Sequence, residues 1–283
     1  MQLKAFGGTG VALPVIGQGT WDLPENGARL DEAKRTLRRG VELGATHLDT
    51  AEMYGAGEVE RILGDAIAGL PREKLFVTSK VLPSNASYDG TIAACERSLR
   101  RLRLDELDLY LLHWPSSVPL EETMRALVRL VRDGKTRFVG VSNFDADAML
   151  EAKRLLGDTP LACNQVLYHL RERGIEHRVL PAAREAGIAV VAYTPFGRGA
   201  FPKAAAAADA PLGRIASKHG ATPRQVILAA LTRDPNVFTI PKASSIPHVE
   251  ENCGAGDLVL DEEDVRAIDA AFPIGEPGEL ATL

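Results

Sequence analysis

Cysteine is scarce in this chain, and what little there is excludes a disulfide framework. Cys95, Cys163 and Cys253 are far apart and odd in number, as expected for reduced thiols in a cytoplasmic protein. No apolar run approaches the length of a membrane span. The opening residues, MQLKAFGGTG, lack the apolar core of a signal peptide, so a cytoplasmic location is expected. The formal net charge is −5, and no block of basic residues offsets it. Nucleic acid and an anionic membrane surface are therefore poor partners. Chemistry-bearing motifs are also missing. "GQGTWD" and "GAGEVE" come near G-x-G-x-x-G but end in Asp22 and Glu60 instead of glycine. A dinucleotide-binding doubly wound sheet is disfavoured for that reason. There is no Walker sequence, and neither H-E-x-x-H nor C-x-x-C occurs, so no dedicated metal site is expected.

What is present is a regular alternation. Short apolar runs at Val15–Gln18, Thr46–Leu48, Leu75–Ser79, Leu107–Leu112, Phe138–Val141, Leu161–Gln165, Ile188–Ala192 and Val237–Ile240 read as strands. Between them lie amphipathic stretches such as Asp31–Leu43, Thr91–Leu102, Leu120–Arg132 and Pro223–Thr232. Strands separated by helical patterns predict βαβ units and a parallel sheet. About eight such units in roughly 250 residues is the repeat of a (β/α)₈ TIM barrel, an α/β fold. With 283 residues and no visible linker, one domain spanning 1–283 is expected. The Ala204–Ala208 run in the connection after the seventh strand is either a surface loop or part of a lid.

In such a barrel, reacting groups come from the carboxyl ends of the strands. Those ends carry Trp21, then Asp49 and Tyr54, Lys80, His113 with Trp114, Ser142 with Asn143, Gln165, Tyr193 and Lys242. Taken singly, Lys80 reads as a snorkelling lysine and His113 as a core histidine. Their coincidence on one rim points to chemistry. A phenol beside an ammonium has its pKa lowered from about 10, and a carboxylate can balance that ammonium if it is buried. A neutral histidine can orient a carbonyl. No G-x-S-x-G nucleophile is present, so the species attacking the carbonyl carbon is expected to come from a cofactor.

"HLDTAEMYG", "TSK" and "LYLLHWP" closely resemble the aldo-keto reductases. The resemblance continues, in order, through "GKTRFVGVSNF", "CNQVLYHL", "GIAVVAYTPFGRG" and "IPKASSIPHVEEN". It implies a (β/α)₈ barrel and reversible carbonyl reduction with NADPH. The block "NQVLYHLRERGIEHRVLP" resembles short bacterial members that reduce methylglyoxal and other small aldehydes. By resemblance, Tyr54 is the general acid, Lys80 and Asp49 tune it, and His113 orients the substrate. Ser142, Asn143 and Gln165 fall where the nicotinamide carboxamide is held, and Tyr193 where a ring stacks on it. Lys242 and His248 match positions at the adenosine 2′-phosphate, and Glu251 and Asn252 match adenine contacts. Ala243 stands where serine is common and His248 where arginine is usual. NADH is therefore expected as a second cofactor of lower preference. Trp21 and Trp114 are expected to wall an open substrate pocket, because the tail "FPIGEPGELATL" is short. A monomer is expected. The alternative from another class is a non-catalytic barrel that senses nicotinamide cofactor and regulates a partner.

Overall fold

The strands that carry the sheet are buried on both faces, so they form only where both faces can be covered. Phe76–Val81 and Leu107–Leu112 are buried at every position. The computed structural model describes residues 1–199, 201–202 and 211–283. The Ala204–Ala208 run lies outside the described residues.

Eight parallel strands follow in sequence order: β3 (Gln18–Gly19), β4 (His47–Asp49), β5 (Phe76–Val81), β6 (Leu107–Leu112), β7 (Thr136–Ser142), β8 (Leu161–Leu167), β9 (Ala189–Tyr193) and β10 (Val237–Thr239). The two ends of this sheet meet. Ile16 bridges Thr239, Gly17 N–H donates to Thr239 O at 2.8 Å, and Thr239 N–H donates to Val15 O at 3.0 Å. The first apolar run, expected as a strand over Val15–Gln18, thus makes its pairing partly through single bridges, with regular strand geometry only at Gln18–Gly19.

Helices α1 (Gly27–Glu42), α2 (Glu58–Ile67), α3 (Tyr88–Leu102), α4 (Leu120–Arg132), α5 (Ala146–Leu156) and α6 (Val179–Ala186) each pack on the next. Further round lie α7 (Pro211–His219), α8 (Pro223–Leu231) and α9 (Ile246–Gly254), and α9 packs back on α1. Helix α10 (Glu262–Ala271) packs on α7. Their starts follow local chemistry. Ser87 and Asp145 cap α3 and α5, and Thr222 with Gln225 forms a capping box at α8.

An antiparallel hairpin precedes the sheet: β1 (Leu3–Ala5) pairs with β2 (Ala12–Pro14). It brings Phe6 into an edge-to-face cluster with Phe76, Phe238 and the His47 ring, with ring centroids 5.1–6.0 Å apart. Gly7 allows the close approach, since an added Cβ would sit 2.7 Å from the Ala162 carbonyl oxygen. No helix among the described residues is long and apolar enough to cross a membrane.

Candidate active site

The carboxyl ends of the strands converge on a cavity of about 640 Å³. Of the residues expected at the site, it is lined by Trp21, Asp49, Tyr54, His113, Trp114, Ser142, Asn143, Gln165, Tyr193 and Lys242. His248, Glu251 and Asn252 do not line it: they sit on α9, with His248 exposed and Asn252 buried. Lys80 lies just behind the lining.

Asp49 closes β4 opposite Thr78 of the neighbouring β5, and Lys80, two residues further on, shares Thr78's face of the strand. The Lys80 ammonium is fully buried. It donates to Asp49 Oδ1 at 2.6 Å, to the Thr50 carbonyl at 2.8 Å and to the Tyr54 hydroxyl at 3.3 Å. Tyr54 is followed by a turn of left-handed residues that leads into α2. Gly55, Ala56 and Gly57 have φ of 54°, 52° and 93°. At Gly57 the guanidinium of Arg101 lies where a Cβ would point, and Arg101 pairs with the buried Glu60 at 2.9 Å. Glu52, on the same connection, accepts from Leu82 N–H, Asn85 Nδ2 and Arg97. The phenol-bearing turn is held from outside by these two acids.

The electrostatics differ from the sequence expectation in one respect. Burial raises the Tyr54 pKa, the nearby Lys80 charge lowers it and Asp49 raises it, with a net upward shift. The expected lowering is present but is outweighed by desolvation. For Lys80, burial pulls the amine down, while Asp49 and Tyr54 more than offset it, leaving the pKa raised. The ammonium therefore stays charged and the phenol stays protonated. His113 is pushed down to about 2, chiefly by burial and then by the Lys80 charge. It is a neutral imidazole. Its ring lies 5.8 Å from that of Tyr54 and stacks on Trp114 at 3.8 Å. His113 Nδ1 is buried without a partner.

A second chain of hydrogen bonds joins this cluster to the far wall. Gln165 Nε2 donates to Asp49 Oδ2 at 2.7 Å, and Ser142 Oγ donates to the Gln165 carbonyl at 2.8 Å. Asn143, with φ of 62°, donates to the His113 carbonyl at 3.0 Å and accepts from the Tyr193 hydroxyl at 2.7 Å. Thus the carboxylate at the phenol's ammonium also orients the amide wall. The tie between Asp49 and Gln165, 116 residues apart, is not visible in the sequence.

Sequence reasoning missed other lining groups. Met53, Phe196, Arg198, Arg224 and Leu283 all face the cavity. Arg198 lies over the Trp21 ring at 5.4 Å and Arg224 over Phe196 at 4.6 Å. The C-terminal segment supplies one lining residue. After α10 the chain is held by Arg173 on the Phe272 carbonyl and by His177 on that of Gly275, and Leu283 returns to the lining beside Tyr193.

A protonated phenol on a buried ammonium, a neutral imidazole and an amide-lined wall in one cavity are the equipment of a carbonyl oxidoreductase. Residues 15–272 match the Aldo/keto reductase family, and the chain belongs to it. The chain is 43% identical over 274 residues to Methylglyoxal reductase YeaE of Escherichia coli, covering 96% of each. It is 37% identical to Glyoxal reductase of Bacillus subtilis, covering 92% of this chain and 90% of that one. An aldo/keto reductase from Klebsiella pneumoniae, crystallised with NADP and acetate, superposes with a TM-score of 0.91 at 38% identity, each chain covered in full. The named relatives are reductases, which favours the enzyme over the cofactor-sensing alternative.

Proposed function

We propose that this protein is an NADPH-dependent reductase of small aldehydes and dicarbonyls such as methylglyoxal, built as a single (β/α)₈ barrel. The meeting of Val15–Gly17 with Thr239 and the packing of α9 on α1 support closure of the sheet. The observation that carries the functional reading is the buried Asp49–Lys80–Tyr54 chain opening on the cavity.

The donor set fits a phosphorylated nicotinamide dinucleotide. The lining offers the amides and hydroxyl of Asn143, Gln165 and Ser142, the Tyr193 ring, and the cations Lys242 and Arg224. Ser142, Asn143, Gln165 and Tyr193 would hold the nicotinamide end, and Lys242, His248, Glu251 and Asn252 would serve the adenosine end. When bound, that cofactor supplies the hydride.

The chain's own residues do the rest. His113, neutral, donates a hydrogen bond to the substrate carbonyl and fixes its oxygen near the Tyr54 hydroxyl. Tyr54 gives its proton to that oxygen as negative charge develops there. The phenolate left behind is stabilised by Lys80 at 3.3 Å, with Trp21 and Trp114 lining the cavity beside it. Asp49 keeps Lys80 charged. This balance suits proton donation, because burial keeps the acid protonated in the resting state and the ammonium acts when the anion forms.

Three free, buried cysteines support a reducing, cytoplasmic setting. Loss of NADPH absorbance on adding methylglyoxal to the purified protein tests the reading. Turnover supports it, and tight NADPH binding without turnover of any aldehyde tried would return the sensing alternative.

A further inference from the structure

The cations lining the cavity are unevenly matched. Lys242 Nζ donates to the Asp22 carbonyl at 3.0 Å and lies 3.9 Å from Asp22 Oδ2, a carboxylate whose side chain is 76% exposed. Arg224 has no carboxylate and no hydrogen-bond acceptor among the described residues. Its guanidinium rests half-buried on the Phe196 ring, 4.6 Å from the centroid, and lines the cavity. A partly desolvated charge facing a cavity without a counter-ion is balanced best by an anion the cavity receives. Arg198 is also without a carboxylate among the described residues, but it lies over Trp21, which follows β3.

Arg224 is also pre-set. It occupies the first turn of α8, where Thr222 N–H donates to Gln225 Oε1 at 2.9 Å and Gln225 N–H donates to Thr222 Oγ1 at 3.2 Å. Gln225 Nε2 then donates to the Glu251 carbonyl of α9 at 3.0 Å. The backbone that carries Arg224 is thereby tied to the helix that follows Lys242. Both cations line the same cavity, Arg224 from the start of α8 and Lys242 from the connection between β10 and α9.

We propose that Arg224 works with Lys242 as a two-cation clamp on the adenosine 2′-phosphate of the cofactor, and so sets the preference for the phosphorylated dinucleotide. The clamp supplies the fixed second charge that Ala243 and the exposed His248 do not. This rests on the placement of Lys242 at that phosphate.

The test is a set of dissociation constants for NADP⁺ and NAD⁺ without substrate, read from quenching of tryptophan fluorescence. Arg224→Ala is expected to weaken NADP⁺ by roughly 10- to 100-fold and to leave NAD⁺ within about 2-fold. Arg224→Lys should recover part of the loss. Arg224→Gln, which keeps a stem over Phe196, serves if the alanine variant does not fold. Equal weakening of both cofactors would place Arg224 on the pyrophosphate and overturn the proposal, as would no change in either. Lys242→Ala separates the two ideas. If it shifts the NADP⁺/NAD⁺ ratio while Arg224→Ala does not, the clamp fails and the Lys242 reading stands. If it leaves the ratio unchanged, the Lys242 reading fails by itself.

Discussion

Asp49→Asn keeps the shape of the side chain and removes its charge, and its consequences can be worked from the geometry. Asp49 and Lys80 are joined at 2.6 Å and are 1% and 0% exposed. Neutralising the acid strands a buried ammonium, which costs about 3–5 kcal/mol. The loss should appear at neutral pH as a lower urea midpoint. It should also depend on pH in a definite direction. In the wild type Lys80 has its pKa raised, so its contribution is fully present below the unfolded value of about 10.4 and is lost only above that. In Asp49→Asn the main partner is gone while burial remains, so the lysine pKa falls below the unfolded value. Between those two values the unfolded chain binds the proton and the folded one does not, so the variant gains stability as pH rises. The gap between wild type and variant should therefore narrow from pH 7 toward pH 10. The double variant with Lys80→Met should be less unstable than the sum of the singles. The assay is urea unfolding at pH 7, 8.5 and 10, followed by circular dichroism. A loss under about 1 kcal/mol, or a gap that does not change with pH, would refute the reasoning.

Further outcomes follow from the same geometry. Because His113 is held near pKa 2, kcat/KM for reduction should show no inflection around pH 6.5, and an inflection that vanishes in His113→Gln would contradict a neutral imidazole. On the stability side, the unfolded histidine takes up a proton below about pH 6.5 and the folded one does not. His113 thus makes stability fall as pH drops through that region, by up to ~1.4 kcal/mol per unit, and His113→Gln should flatten the slope. His248→Arg should tighten NADP⁺ relative to NAD⁺, and an unchanged ratio of dissociation constants would place this exposed side chain off the cofactor. A panel of short and aromatic aldehydes, dicarbonyls and ketones should show broad turnover with ketones slower, since one methylene in an apolar pocket is worth only ~1–3 kcal/mol. A single accepted substrate with its near analogues rejected would count against that.

Much of the site is legible in the sequence because a parallel βα repeat fixes where strand ends go. Asp49, Tyr54, Lys80 and His113 end or follow successive apolar runs, and the structure brings them together. The balance between burial and charge at Tyr54 is not legible, because depth is a property of the assembled rim. The Gln165–Asp49 bond is hidden for the same reason: the two strands meet only when distant parts of the chain surround one cavity. The β1–β2 hairpin is too short for alternation to show. Helix α9 begins with Ile246-Pro247-His248 and carries a polar run, so its period is obscured. Arg224 looks like any charged residue in the first turn of an amphipathic helix, and only the cavity singles it out. The return of Leu283 to the lining depends on anchors at Arg173 and His177 that no local pattern announces.

The central claim is that Tyr54 is the proton donor, and Tyr54→Phe examines it with little else disturbed, because the ring and its contact with His113 remain. The measurement is single-turnover reduction of methylglyoxal with cofactor bound, alongside the cofactor dissociation constant. The account predicts a fall of about 10²- to 10⁴-fold in the chemical rate with cofactor affinity nearly unchanged. A variant that keeps more than about half of the wild-type single-turnover rate would contradict it.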